Sequence, residues 1–300
     1  MKPVFHAGEI AVQKRAGVQD LANRVGRSFD SVIPLQAEGF LRSQPMAIIG
    51  SLDVHGQVWA FVLAGQPGFI QALDKKTLVI NAHPLPDDPL HVNLAADSHI
   101  GVLVLEPMIR RRMRLNGKAE VKDGMIMLHA EEVFFKCPKY IQARARKPKS
   151  SAATPSQNAE NDSSLNMRQQ RWIAEADTFF IASNHPERGV DASHRGGIPR
   201  FVQVVNENVL RWPDYKGNNM FQTLGNLSVN PNAGLLFLDF ETGATLQLTG
   251  KAEVLWEDEE KEQFSGAERV VEFKVDRVVE IGNAVKLDWL FLNYSPFNPG

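Results

Sequence analysis

The sequence contains a single cysteine, Cys137, in 300 residues. One cysteine excludes a disulfide within the chain and is typical of a protein in a reducing compartment. No apolar run approaches the roughly 20 residues that a helix needs to span a bilayer. The first residues, MKPVFHAGEIAVQKRAG, also lack the apolar stretch of a secretory signal. These absences predict a cytoplasmic protein without a membrane partner.

An excess of charge of one sign is also missing. The chain has 33 basic and 35 acidic residues and a formal net charge of −2. Because no strong global field results, we expect no nucleic-acid partner. The basic stretch ARARKPK, residues 143–149, has no interleaved aromatic residues. We therefore interpret it as the start of a solvated linker rather than as a nucleic-acid patch.

Familiar catalytic motifs are missing as well. The sequence contains no GxGxxG, GxxxxGK[ST], HExxH, GxSxG or CxxC pattern. Its eight histidines show no spacing of paired metal ligands, and Cys137 has no legible His or Asp partner. We interpret Cys137 as a small buried residue. A functional site has to be sought in another pattern.

The chain does contain an internal repeat. LNGKAEV begins at Leu115 and LTGKAEV at Leu248, 133 residues later. GVLVLEP and GLLFLDF, which begin at Gly101 and Gly234, have the same offset. Apolar strands that are similar only by chance would not show the same offset in both pairs of segments. The pattern predicts two copies of one domain.

Further upstream the offset becomes 132. PGFIQALDKKTL from Pro67 aligns with PRFVQVVNENVL from Pro199, so the second copy has one extra residue between Leu210 and Leu224. We therefore expect a first repeat at residues 1–146 and a second repeat at 165–300. A flexible linker is expected at 147–164, where the sequence is polar and rich in Ser and Asn.

Each repeat is mostly composed of short, β-rich runs separated by Gly, Pro, Asp or His, which is typical of a small barrel. A helical segment precedes each set of strands, VQDLANRVG (18–26) in the first repeat and LNMRQQRWIAEA (165–176) in the second. We predict a mainly β fold with flanking helices. Two tandem barrels would pack as a pseudo-dimer within one chain, because packing them together covers edges and apolar faces that one barrel exposes.

The two repeats differ most at residues 191–197. The second repeat has DASHRGG there, whereas the first has WAFVLAG at 59–65. Hydroxyl, guanidinium and backbone N–H groups at a strand end beside a glycine-rich turn suit an anion. Arg195 is suited to bidentate contact with a phosphate. The turn KGNN (216–219) and Thr223 add further donors.

The first repeat has its own polar segment in MIRRRMRLNG, where the second has ETGATLQLTG. Strand alternation would place Arg110, Arg112 and Arg114 on one face. A solvated face is one interpretation, and an arginine that reaches across the domain interface to an anion is the other. Lys139 and Tyr140, a cation and an aromatic that follow a proline, are further candidates.

Together, ADTFFIAS, GVDASHRGG, PRFVQVV, LRWPDYKGNNMFQTLGNLSVNPNAGLLFLDF and LQLTGKAEV resemble the pyridoxamine 5′-phosphate oxidase-like, FMN-binding split-barrel family. FHAGEIAVQKRAG, FFKCPKYIQAR and YSPFNP resemble, more narrowly, bacterial flavin-nucleotide-binding proteins with two such domains. The resemblance implies two split barrels with FMN in the crevice between them. The basic pair of the true oxidases' phosphate turn and helix is absent, and so is their substrate-recognising C-terminus.

The residue patterns and the resemblance together define a set of cofactor-binding candidates. The set is Ser193, His194, Arg195, Gly196, Pro213, Asp214, Lys216, Asn218, Asn219, Thr223, Arg112 and Lys139. No catalytic residue is assigned and no metal is expected. Three functions stay open: an FMN-dependent oxidoreductase, a flavin, haem or deazaflavin binder without turnover, and a scaffold that partners a reductase. The expected partners are a small-molecule substrate or an electron-donating reductase, with a homodimer as an open assembly.

Overall fold

The structure is a computed structural model that describes residues 3–26, 30–84, 88–135, 138–147 and 159–299. Cys137 lies outside these residues. Antiparallel strands dominate the fold and short helices flank them, so the predicted mainly β class is confirmed. No helix within these ranges combines the length and the apolar character needed to cross a membrane.

The first repeat forms a seven-stranded antiparallel sheet behind three short helices and a single 3-10 turn. α2 lies on the predicted helical segment 18–26. The elements are α1 (Ala7–Arg15), α2 (Gln19–Gly26), the 3-10 turn (Leu35–Ala37), α3 (Glu38–Ser43), β1 (Met46–Leu52), β2 (Val58–Ala64), β3 (Ile70–Ala72), β4 (Thr77–Ile80), α4 (Leu90–Ala96), β5 (His99–Glu106), β6 (Arg111–Lys122) and β7 (Met125–Phe135).

The first repeat ends with the short strand β8 (Ala143–Arg146), and β9 (Ala159–Asp162) lies within the predicted linker. The second repeat follows and forms the second large sheet. α5 lies on the predicted segment 165–176. The elements are α5 (Met167–Glu175), β10 (Thr178–His185), β11 (Gly189–Gly196), β12 (Gln203–Asn206), β13 (Val209–Tyr215), α6 (Gln222–Val229), β14 (Asn232–Leu238), β15 (Thr245–Leu255), α7 (Asp258–Glu262), β16 (Ala267–Ile281) and β17 (Trp289–Asn293).

The two large sheets have the same strand order. The first runs β2-β1-β5-β6-β7-β4-β3 and the second β11-β10-β14-β15-β16-β13-β12, so each strand has a counterpart at the same place. The equivalent strand pairs β6–β7 and β15–β16 shift register at equivalent places, Asn116/Gly117 in the first sheet and Thr249/Gly250 in the second. These positions are 133 residues apart, as in the sequence alignment. The shared topology supports the proposal that the chain arose by duplication.

The strands β1 and β10 are buried on both faces, which explains their continuous apolar sequences. In β1, Ile49 packs in the core of the first repeat, whereas its neighbour Ile48 packs in a separate cluster between the repeats. In β10, Ile181 and Phe180 divide in the same way between the second core and that cluster. The intrachain pseudo-dimer is therefore held by an apolar core of its own.

Close backbone approaches relate the repeats by pseudo-two-fold symmetry. A Cβ added at Gly101 would lie 2.7 Å from Cα of Asp191, and one added at Gly234 would lie 2.5 Å from Cα of Trp59. Gly234 is the counterpart of Gly101, and Trp59 is the counterpart of Asp191. Each contact is thus the image of the other, and only glycine fits at either place. The segment 191–197 consequently lies at the inter-repeat interface.

Two segments outside the large sheets also tie the repeats together. Helix α1 of the first repeat packs on α6 of the second, where a Cβ at Gly225 would lie 2.7 Å from Cα of Glu9. Strands β8 and β17 form a two-stranded ribbon.

The predicted linker differs from the structure at its end, because Ala159–Asp162 pairs with β16 as a strand. The edge of β16 offers unpaired backbone groups that this short polar segment satisfies.

Candidate functional site

A cleft opens between the two repeats at the end of β11. Its walls come from β11, β13 and the start of α6 in the second repeat and from β6 and residues 139–140 of the first. The cavity within the cleft has a volume of about 100 Å³. Eleven of the twelve predicted cofactor-binding residues line it. The exception is Lys216, whose carbonyl oxygen accepts hydrogen bonds from Lys139 Nζ and the Tyr140 hydroxyl, each at 3.0 Å.

The strand β11 brings the polar stretch to the cleft. Arg195 is half-buried, and its Nη1 donates to Ser193 Oγ and to the His194 carbonyl oxygen, both at 3.0 Å. These bonds hold the guanidinium along the strand. The next residue, Gly196, must be glycine because a Cβ there would collide with the Tyr140 carbonyl oxygen. The tail of the first repeat thereby forms part of the wall.

The turn between β13 and α6 supplies the opposite wall. Asn219 and Phe221 adopt left-handed backbone conformations with φ of 63° and 61°, which is uncommon for residues other than glycine. No side chain caps the N-terminus of α6, whereas α1 and α5 each have a capping box. The first-turn residues Gln222, Thr223 and Leu224 line the cleft. An uncapped helix N-terminus presents backbone N–H groups and a positive dipole end, which favour an anion.

Three arginines of the first repeat were expected on one strand face. Two of them line the cleft, and the third does not. Arg112 and Arg114 of β6 line it. Arg110 instead precedes the strand with a φ of 53°, and its Nε donates to the Ile141 carbonyl oxygen at 3.0 Å. The expectation of three arginines on one strand face is wrong for Arg110, because β6 begins only at Arg111.

Asp191, the first residue of the polar stretch, pairs across the interface. Its Oδ1 accepts from Arg114 Nε at 3.1 Å and from Asn116 Nδ2 at 3.2 Å. The carboxylate is buried, and the Arg114 guanidinium forms an ion pair with it. Asp191 therefore positions an arginine at the back of the cleft. Arg114 was not among the predicted site residues, although its alternation with Arg112 is the signal that identifies it.

His194 is a buried polar residue of the cleft wall, with a relative exposure of 3%. Its ring lies edge-on to Phe180, with 5.8 Å between ring centroids. Within the part of the chain that the structure describes, neither ring nitrogen has a hydrogen-bond partner. Burial, followed by the charges of Arg112, Arg195 and Arg144, holds the pKa of His194 well below its usual 6.5. The imidazole is thus neutral.

The corresponding crevice of the first repeat is closed by the protein itself. Asp88 Oδ1 accepts from the backbone N–H of Leu90, the first residue of α4, at 2.9 Å. Asp88 Oδ2 accepts from Nε2 of Gln247, the counterpart of Arg114, at 3.1 Å. Phe61 and Leu63, the counterparts of Ser193 and Arg195, pack in the first core. A carboxylate of the chain thus occupies the helix N-terminus that is open in the second repeat.

A buried cluster of ionisable residues lies behind the cleft, under helix α1, and was not predicted. Burial raises the pKa of Glu9 to about 8, and burial, together with the charge of His185, lowers the pKa of His6 to about 4. Both side chains are therefore neutral at pH 7, so their 3.5 Å approach is not an ion pair. Glu132 and Asp191 line the same cavity. Only tertiary burial by the other repeat distinguishes Glu9 from a surface glutamate.

The sequence of the second repeat is similar to a known family. Residues 165–281 match the sequence model described as "Pyridoxamine 5'-phosphate oxidase". This matched domain contributes β11, β13 and α6, and hence most of the cleft. A search of curated proteins found no match.

Several solved structures resemble part of the chain at low identity. HupZ of Group A Streptococcus is 12% identical, over 44% of this chain and 98% of that chain, with a TM-score of 0.31. A putative pyridoxamine 5′-phosphate oxidase from Lactobacillus delbrueckii is 14% identical, over 39% and 98%, with a TM-score of 0.33. An FMN-binding protein from Syntrophomonas wolfei is 12% identical, over 42% and 86%, with a TM-score of 0.28.

Proposed function

We propose that the cleft between the repeats binds FMN and that the chain is a flavoprotein oxidoreductase. The observation that carries the proposal is the contrast between the two crevices. In the first repeat Asp88 accepts from the first N–H of the helix and from Gln247, whereas in the second the equivalent helix end and Arg195 both line the open cleft. An anionic ligand in the second crevice would take the place that the carboxylate fills in the first. The family of the second repeat supports a flavin as this ligand.

The charges of the cleft suit a phosphate. Arg112, Arg195 and Lys139 line it. Among the described residues Asp214 is the one carboxylate in its wall, and it accepts from Arg269 Nε at 3.0 Å. We assign the phosphate to Arg195 and the first turn of α6, with Asn218, Asn219 and Thr223 as neutral donors. A charge-assisted hydrogen bond contributes roughly 1.5–3 kcal/mol, so a few such contacts suffice for micromolar binding.

The aromatic residues of the cleft suit a planar ring system. Tyr140 from the first repeat and Tyr215 from the second lie 5.1 Å apart between ring centroids, and Phe201 and Phe221 add apolar wall. When bound, FMN would supply hydride or single-electron chemistry. The chain's own contribution is to hold the ring between the two repeats, to surround it with arginines and to exclude water from its buried side.

A second candidate is a flavin-binding protein without a substrate of its own, which exchanges electrons with a reductase. The cleft groups favour it in one respect. Burial and the surrounding arginines hold the pKa of His194 well below its usual value, so its imidazole is not poised to accept a proton near neutral pH. Chemistry that passes only electrons needs no such group.

The test starts from purified full-length protein. FMN is titrated while its fluorescence and the visible spectrum of the complex are recorded, and the complex is then mixed with NADH or NADPH. Saturable binding, together with bleaching of the flavin band, supports an oxidoreductase. Binding without bleaching, followed by reduction on addition of a flavin reductase, supports the electron-exchange candidate. An absence of FMN binding refutes both.

A further inference from the structure

His194 is an unusual side chain for a buried strand. It sits in β11 at the interface between the repeats, where its neighbours Phe180 and Ala192 belong to the apolar inter-repeat cluster. Its exposure is 3%, and neither Nδ1 nor Nε2 is hydrogen-bonded within the described residues. A buried polar group without a partner destabilises the folded state. Such groups in native proteins call for an explanation.

The fold itself does not require a histidine at this place. Its counterpart in β2 of the first repeat is Val62, which packs in the same inter-repeat cluster. The pairings Phe180↔His194 and Ile48↔Val62 are equivalent in the two sheets. A β-branched apolar residue therefore meets the packing demand of the position. The imidazole adds hydrogen-bonding groups that the protein alone leaves unused.

The surroundings of His194 decide what it can bind. Arg112, Arg195 and Arg144 contribute positive charge around it, and Arg144 donates to both oxygens of Asp177 at 2.7 Å. A ring held neutral in this field offers one N–H donor and one nitrogen acceptor. It cannot supply a charge to a phosphate. It can pair with an uncharged polar edge that carries a carbonyl oxygen or an N–H group.

We propose that His194 recognises the uncharged heterocyclic part of the ligand, whereas Arg195 and the α6 N-terminus recognise its phosphate. This inference rests on the proposed function, because a flavin ring system has carbonyl and N–H groups along one edge. The wall of the cleft is then divided into a charged part that selects a phosphate and a neutral part that selects the ring. A ligand that lacks the phosphate loses only the first set of contacts.

Two flavins separate these contributions. Affinities for FMN and for riboflavin, which has no phosphate, are measured by fluorescence quenching for the wild type, His194→Val and Arg195→Ala. We expect His194→Val to weaken both flavins by the same factor, about tenfold. Arg195→Ala should weaken FMN by one to two decades and leave riboflavin unchanged. Val62→Ala, at the counterpart position, serves as the control and should leave both affinities unchanged.

The ligand-free stability provides an independent readout. Because valine removes unpaired polar atoms and fits the counterpart site, the thermal midpoint of His194→Val should equal or exceed that of the wild type. A lower midpoint would mean that the fold needs the imidazole, which would overturn the inference. Unchanged binding of both flavins, or weakening of FMN alone, would overturn it as well. If the wild type binds neither flavin, the proposed function itself is refuted, and the inference with it.

Discussion

Replacing Arg195 by alanine tests the site assignment most directly. The substitution removes a half-buried guanidinium whose Nη1 donates to Ser193 Oγ and to the His194 carbonyl oxygen. The counterpart Leu63 is buried in the first core, so this strand position does not need a cation for folding. The loss should therefore appear in ligand binding and only weakly in stability.

The size of the effect follows from the interaction that is lost. A charge-assisted hydrogen bond to a phosphate contributes roughly 1.5–3 kcal/mol, which corresponds to about one to two decades in Kd. Because Arg195 is only half-buried, we expect a loss of FMN affinity near the lower end of this range. The salt dependence of FMN binding should also decrease, since one cation fewer contacts the phosphate.

Leu63→Ala is the matched control, because it truncates the equivalent side chain of the other repeat. Removing a buried leucine side chain costs about 2–5 kcal/mol, so this variant should lose several degrees in its thermal midpoint. Its FMN affinity should stay close to that of the wild type, as titrated by fluorescence quenching. If Leu63→Ala abolishes flavin binding and Arg195→Ala does not, the site lies in the first repeat and our reasoning is wrong.

Three further predictions concern the whole chain. Flavin titration should saturate at one FMN per chain because Asp88 closes the other crevice; two would contradict this. The wild-type thermal midpoint should fall as pH rises from about 6.5 to 8. In the folded state Glu9 holds a proton, because its pKa is raised to about 8, whereas in the unfolded state it does not. Glu9→Gln should reduce this fall, and an equally steep profile would disprove the cause. Gly101→Ala should lower the midpoint by several degrees because its Cβ would meet Asp191, whereas Gly39→Ala, with open space around it, should not.

Much of the candidate site could be predicted by comparing the repeats with each other. Positions that both repeats need for their cores are apolar in both. Ser193 and Arg195 are polar, whereas the residues aligned with them in the first repeat, Phe61 and Leu63, are apolar. This difference identifies them as candidates for a functional site. The cleft brings together almost all of the residues found in this way. Whether they bind a cofactor stays a prediction. The mainly β class was equally accessible, because strand patterns are local.

Other features depended on contacts that the sequence does not contain. The loss of Arg110 from the cleft follows from where β6 begins, which is one residue later than alternation suggested. The closure of the first crevice depends on Asp88 meeting Gln247, 159 residues away in the chain. Glu9 lies in unremarkable sequence surroundings. His194 belongs to the polar stretch that the sequence singles out, but the burial of its ring without a hydrogen-bond partner among the described residues is visible only in the structure.

The sequence by itself determined the repeat, its strands and the polar contrast between the two halves, because these are carried by local patterns and a constant offset. The tertiary structure alone decided which crevice is open and which side chains are neutral. Both depend on what covers a group and which charges surround it. Burial raises the pKa of Glu9 only because α1 lies against the other repeat, and it leaves His194 unpaired only because two repeats enclose it.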